Sequence, residues 1–253
     1  MSALDIKSDS KPGDISRAAS APVESPTQPG ASGVALRTAL VLFLFVVCFT
    51  ALLSLVYQLA APRIQAAADA HKMRLLGRVL PQALYNNDLL SDTIILPPTP
   101  ELGQNAPSPV YRSRLDGKPT ALVLEVVAPD GYAGKIYLLV AVAADGRLIG
   151  VRTVAHKETP GLGDYIDPDK DKNKEHPWAA QFVGQSLQEP DASGWKVKQD
   201  GGIFDARAGA TISPRAVVAA VHKALRFAAA QQARLYAVEP DASPEDDKEN
   251  KGP

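Results

Sequence analysis

The sequence predicts an α+β domain that follows a single N-terminal transmembrane helix. Three observations lead there. Residues 38–61 form one uncharged apolar run. Three strand-length runs rich in Val, Ile and Leu lie mid-chain, two of them joined by Asp145-Gly146, a strong hairpin signal. A helix-period pattern then begins beside Pro214. Sequential hairpin strands favour a mainly antiparallel sheet with helices packed on it.

The elements follow in order. Residues 1–33 are rich in Ser, Pro, Ala and Gly with mixed charge, so a disordered tail is expected. Residues 34–61 are the transmembrane segment. A bilayer core needs about 20 apolar residues, and this run supplies them. Arg37 and Arg63 bracket it, and Tyr57 suits a membrane interface. A cleaved signal peptide is the alternative, but its apolar core would span only about 7–15 residues. Basic residues are denser after the run (Arg63, Lys72, Arg74, Arg78) than before it (Arg17, Arg37). That bias alone would put the folded domain in the cytoplasm, although long domains often cross regardless of charge.

Residues 62–100 read as a helical connector. Leu75, Leu76, Val79, Leu80 and Leu84 recur at helical spacing, which predicts a helix over residues 64–84 that ends near Pro81. "PPTPELGQNAPSPV" is a turn-rich connection. The folded domain occupies residues 101–238, with strands over 121–128, 135–143 and 147–155. Trp178, Gln181, Phe182 and Val183 suggest a short helix on the sheet, and "GWKVKQ" a further strand. Residues 239–253 are charged and Pro-containing, so a second disordered tail is expected.

Composition narrows the function. The formal net charge of −1 leaves no electrostatic footprint for nucleic acid. Cys48 is the single cysteine. It cannot form an intrachain disulfide, ligate an iron–sulfur cluster or build a Cys-rich zinc site. His71, His156, His176 and His222 form no metal-binding pair at i, i+4. If this chain handles electrons, an organic cofactor carries them.

Two segments have chemical potential. In "HKETPGLGDYIDPDKDKNKEHPW", Asp167, Asp169, Asp171, Asn173 and Glu175 alternate like a calcium loop. Lys172 stands where that loop needs Gly, and Trp178 where it needs Glu, so a solvated polar loop is the better reading. Upstream, His156, Glu158 and Thr159 precede the turn Pro160-Gly161-Leu162-Gly163. Its glycines permit close backbone approach to a flat ligand, or simply make a turn. In "ARAGATISPRAVVAAVHKAL", Ser213 reads as an N-cap and Pro214 as the first helical residue. Gly209, Ala210 and Thr211 then stand before a helix N-terminus, where unpaired N–H groups favour a phosphate. An ordinary capped helix with an incidental Thr has the same pattern.

Taken together, HKETPGLG and D-x-x-x-G-A-T-x-S resemble the flavin-binding domain of the G subunit of the Rnf electron-transport complex. They are also similar to the C subunit of the sodium-pumping NADH:quinone reductase. The likeness covers about residues 36–227, anchor included. It implies FMN in phosphoester linkage to Thr211, the last Thr of an S/T-G-A-T motif in which Ala208 replaces the usual Ser or Thr. It implies that Gly209, Ala210, Ser213, His156, Glu158, Thr159, Gly161, Leu162 and Gly163 contribute to the flavin site. A flavin transferase, with FAD as donor, would mature the protein. The domain would face the periplasm from the bacterial inner membrane, among the other Rnf subunits. It would carry electrons in a complex that couples ferredoxin and NAD to ion transport. No catalytic acid, base or metal is expected. No GxGxxG fingerprint occurs, so nicotinamide chemistry belongs to another subunit. Three alternatives stay open: a C-type quinone-reductase subunit, a flavin-dependent membrane sensor, and an assembly subunit whose flavin site has decayed.

Overall fold

A computed structural model describes residues 31–239. The expected tails, residues 1–33 and 239–253, lie outside the described residues except for 31–33, which are helical, and 239. The chain divides into two compact units, Met1–Ala60 and Ala61–Pro253.

Helix α1 spans Ala31–Leu76, so it starts slightly ahead of the expected boundary at residue 34. Among the described residues it is the one helix long and apolar enough to cross a membrane. In the first unit Leu40, Phe43, Phe45 and Phe49 are exposed, a surface that hydrocarbon would cover.

The helix expected over 64–84 instead ends at Leu76. A turn follows, with Gly77 N–H donating to Met73 O at 2.9 Å and Leu80 N–H to Leu76 O at 2.9 Å. The stripe residues Leu76, Val79 and Leu80 keep their burial, at 1%, 3% and 0% exposure. The turn lets them follow the sheet surface, and burial outweighs helical continuity. Gln82–Leu84 makes only a 3-10 turn.

The second unit is built on a five-stranded antiparallel sheet, ordered β1 (Thr93–Leu96), β2 (Ser108–Leu115), β3 (Lys118–Ala128), β4 (Ile136–Ala143) and β5 (Leu148–Ala155). Strands β3 to β5 match the three expected runs. Asp145-Gly146 joins β4 to β5, with Gly146 at φ 84°. Strands β1 and β2 go beyond the sequence expectation. Strand β2 carries Arg112 and Arg114, which hide its pattern. Yet Asp116 (φ 49°) and Gly117 (φ 76°) close its hairpin with β3 by the same turn chemistry.

Alternation along the strands sends side chains to two faces. Leu122, Leu124, Leu138 and Val140 pack in one cluster with Val217, Val221 and Leu225 of α2 (Ile212–Ala237). Val123, Leu139 and Ala141 pack on the other face with Leu76, Val79 and Leu80. Arg112, only 1% exposed, donates to Leu235 O at 2.9 Å and pairs with Asp92. A guanidinium there satisfies carbonyls at the C-terminal end of α2 and suits the helix dipole.

The short helix is a 3-10 helix, Trp178–Phe182. The expected "GWKVKQ" strand is a correction. Only an isolated bridge, Val197 to Phe204, forms, followed by a 3-10 turn at Lys198–Asp200. Trp195 sits in an aromatic cluster with Phe182 and Phe204 (Phe182–Phe204 centroids 4.8 Å apart), not at a sheet edge. The solvated-loop reading of residues 167–175 also needs correction at one residue. Asp171 is 1% exposed. It accepts from Trp178 N–H at 2.7 Å and pairs with Arg207.

A cleft at the start of the C-terminal helix

Helix α2 begins at Ile212, two residues before the expected start. Thr211 therefore takes the N-cap position, and its side chain makes no capping hydrogen bond. Its carbonyl accepts from Arg215 N–H at 3.2 Å. The backbone N–H groups of Thr211, Ile212 and Ser213 have no partner among the described residues. Those are the orphan donors of a helix N-terminus, and they favour an anion.

Ser213 is not the cap. It is 2% exposed and its hydroxyl donates to Glu158, itself 3% exposed. The other Glu158 carboxyl oxygen accepts from Ala133 N–H at 3.2 Å. Glu158 thus ties the β3–β4 loop, its own turn and the start of α2 together.

The glycines serve this junction. A Cβ on Gly163 would lie 2.9 Å from Ser213 Oγ and 3.2 Å from Glu158 Oε2. A Cβ on Gly131 would meet Glu158 Oε1 at 2.8 Å. Gly163 is therefore required for the turn to approach the helix. Gly161, at φ 75°, is there for conformation, and its N–H donates to Asp164 Oδ1 at 2.9 Å. Thr159 O closes the turn by accepting from Leu162 and Gly163 N–H, both at 3.1 Å.

The result is a cleft of about 120 Å³. Thr211, Ala210, Gly209 and Ser213 form one wall, and Glu158, Thr159, Leu162 and Gly163 the other. His156 and Gly161 do not line it. His156 Nδ1 accepts from Glu158 N–H at 3.1 Å, and its Nε2 lies 3.9 Å from Asp167. Both residues shape the turn from behind.

Sequence reasoning misses Tyr132 and Ile212, which also line the cleft. With Leu162 they are large apolar side chains left 67%, 45% and 47% exposed around one opening. An aromatic ring in the Gly-flanked segment "GYAG" is the available signal. Tyr165 is missed too. Its hydroxyl accepts from Arg207 N–H at 3.0 Å and donates to Ala210 O at 3.1 Å, which fixes the turn before Thr211. Burial pushes the Tyr165 phenol up, against the opposing pull of Arg207, so it stays a donor.

The cleft can therefore do three things. It offers orphan N–H groups to an anion, the uncapped hydroxyl of half-buried Thr211 beside them, and apolar side chains for a flat ring.

Residues 131–226 match the FMN-binding domain family, and residues 34–79 match the RnfG N-terminal region. Over 210 residues the chain is 49% identical to the G subunit of the ion-translocating oxidoreductase complex of Pseudomonas aeruginosa, covering 83% of this chain and 96% of that one. The protein of the same name from Shewanella loihica is 43% identical over 199 residues, covering 79% and 92%. That of Vibrio cholerae is 40% identical over 200 residues, covering 79% and 93%.

Proposed function

The chain belongs to the G-subunit family of ion-translocating oxidoreductase complexes, and on that premise we propose that it carries electrons on FMN held covalently by Thr211. The single observation that carries this reading is half-buried Thr211, its hydroxyl making no capping bond, beside the unpaired N–H groups of α2 and inside the segment that matches an FMN-binding domain.

The residues fit a phosphorylated flavin. The N–H groups of Thr211, Ile212 and Ser213 would hold phosphate oxygens, and the helix dipole favours the remaining negative charge. Tyr132, Leu162 and Ile212 offer apolar surface to the ring system. Glu158 holds the walls together through Ser213 and Ala133 and leaves the Thr211 hydroxyl unengaged. A flavin transferase with FAD as donor would join the FMN phosphate to the Thr211 oxygen, with AMP and the hydroxyl proton as the leaving groups. The flavin then supplies the redox chemistry, while the chain supplies attachment, orientation and electrostatics. No side chain here needs to act as a general acid or base.

Helix α1 anchors the protein in the inner membrane, and the folded domain faces the periplasm as the family likeness implies. Within its complex the protein serves electron transfer between ferredoxin and NAD coupled to ion transport. The test is the intact mass of the full-length chain after coexpression with a flavin transferase. A gain equal to FMN less one water is expected, mapped by peptide fragmentation to Thr211. An unmodified mass under conditions that label a known acceptor would refute the attachment.

A further inference from the structure

The sheet face opposite α2 is only partly covered. The end of α1 shields Val123 and Ala141, and beside it a cavity of about 350 Å³ opens over β3, β4 and β5. Leu75, Leu139, Tyr137 and Val154 make its walls apolar. Tyr137 and Val154 remain 47% and 43% exposed and continue the apolar surface outward.

Glu125 is the one carboxyl in this lining and Lys72 the one base. The Tyr111 hydroxyl reaches Glu125 Oε1 only at 3.4 Å, a long hydrogen bond. Burial pushes the Glu125 carboxyl above its ordinary range, and the Tyr111 bond and the field of Lys72 offset it in part. Burial and the same carboxyl push the Tyr111 phenol up to about 12. A half-desolvated carboxyl on an apolar wall is costly unless a donor reaches it. The domain itself supplies one weak donor.

We propose that this face docks a neighbouring polypeptide of the complex, through an apolar segment that sets one arginine into the cavity against Glu125. The guanidinium would donate to the Glu125 carboxyl and to the Tyr111 oxygen. Its methylene stem would lie along Leu75 and Leu139. Arginine fits better than lysine because its planar fork donates to two acceptors at once. A polypeptide fits better than a small ligand because Tyr137 and Val154 extend the apolar surface beyond the cavity. A buried anchor ringed by further contacts is the usual anatomy of an interface centre. The inference rests on membership of a multi-subunit complex, not on the flavin attachment.

The test uses the full-length chain, tagged and purified with its complex in mild detergent. Val154→Asp places a charge on the exposed rim, and Glu125→Arg opposes the incoming cation. Each is expected to lower recovery of partner subunits per tagged chain at least tenfold. Ile203→Asp, an equally exposed apolar site away from the cavity (41%), is expected to leave recovery unchanged. Flavin fluorescence on a denaturing gel should be the same in all of them. An unlabelled wild-type chain that still recovers its partners would sink the flavin reading and keep the docking. If Glu125→Arg fails to fold, as judged by melting, Val154→Asp decides alone. Full partner recovery with Val154→Asp overturns the proposal. So does a non-protein molecule extracted from the wild-type chain and lost in Val154→Asp, which would make the cavity a small-ligand site.

Discussion

Ser213→Ala tests the junction that shapes the cleft. Ser213 and Glu158 are 2% and 3% exposed, and the serine hydroxyl is the donor to Glu158 Oε2. Removing it leaves a buried carboxyl oxygen without a partner, at a cost of about 1–3 kcal/mol. The lost oxygen atom leaves too small a void to add much. For a domain of this size each kcal/mol lowers Tm by about 2–4 °C, so a loss near 2 kcal/mol predicts a drop of about 4–8 °C. An N-cap role would cost a comparable ~1 kcal/mol, so magnitude alone does not separate the two. The double-mutant cycle with Glu158→Gln does. A strut between the two side chains predicts a coupling of at least about 1 kcal/mol, whereas independent roles predict additivity within about 0.5 kcal/mol. The assay is thermal unfolding of the flavin-free full-length chain in detergent, followed by the fluorescence of Trp178 and Trp195. Additive effects, or a Ser213→Ala chain that melts with the wild type, would refute the junction.

Three further outcomes follow from the same geometry. Gly163→Ala should cost about 1–3 kcal/mol by pressing a methyl on Ser213 and Glu158, and should cut covalent flavin several-fold; unchanged melting and labelling would show the approach to be looser. Burial alone would raise the Asp171 carboxyl, but the Trp178 and Asn173 N–H groups and Arg207 outweigh it and hold the group below 3.8. Its stabilisation is therefore present above that pH and lost as pH falls through the lower folded value, so Asp171→Asn should melt earlier at pH 7 and show a flatter acid limb. Glu125 is shifted the other way, so its charged form destabilises the free chain as pH rises past 4.5. Glu125→Gln should be the more stable at pH 7, with the gain vanishing in acid; a less stable variant at pH 7 would contradict the burial argument.

Much of the fold is legible in the sequence because local chemistry and tertiary need agree. Residues 121–155 combine strand-length apolar runs with an Asp-Gly turn, and the sheet forms there as the pattern says. Strand β2 is hidden because Arg112 and Arg114 lie within it. Only the end of α2, more than a hundred residues later in the chain, explains a buried arginine at position 112. Ser213-Pro214 carries a local capping signal, but Glu158 competes for the serine hydroxyl and draws it inward, so the helix starts earlier. The cleft motifs are visible as spacing, whereas Tyr132 and Ile212 are not, since exposed apolar residues acquire meaning only when three of them meet around one opening. Gly163 reads in the sequence as an approach to a ligand; it lines the cleft, and it also lets the turn come close to Ser213 and Glu158.

The central claim is that Thr211 is the attachment residue. Its most direct measurement is flavin fluorescence of full-length Thr211→Ala on a denaturing gel, after coexpression with a flavin transferase and beside Ser213→Ala. Thr211 is at the N-cap position without a side-chain capping bond, so its replacement should leave the fold intact at a cost of at most about 1–2 kcal/mol. The account predicts a dark Thr211→Ala band and a fluorescent, if weaker, Ser213→Ala band. A fluorescent Thr211→Ala band would contradict it, and a dark Ser213→Ala band beside it would move the attachment to Ser213.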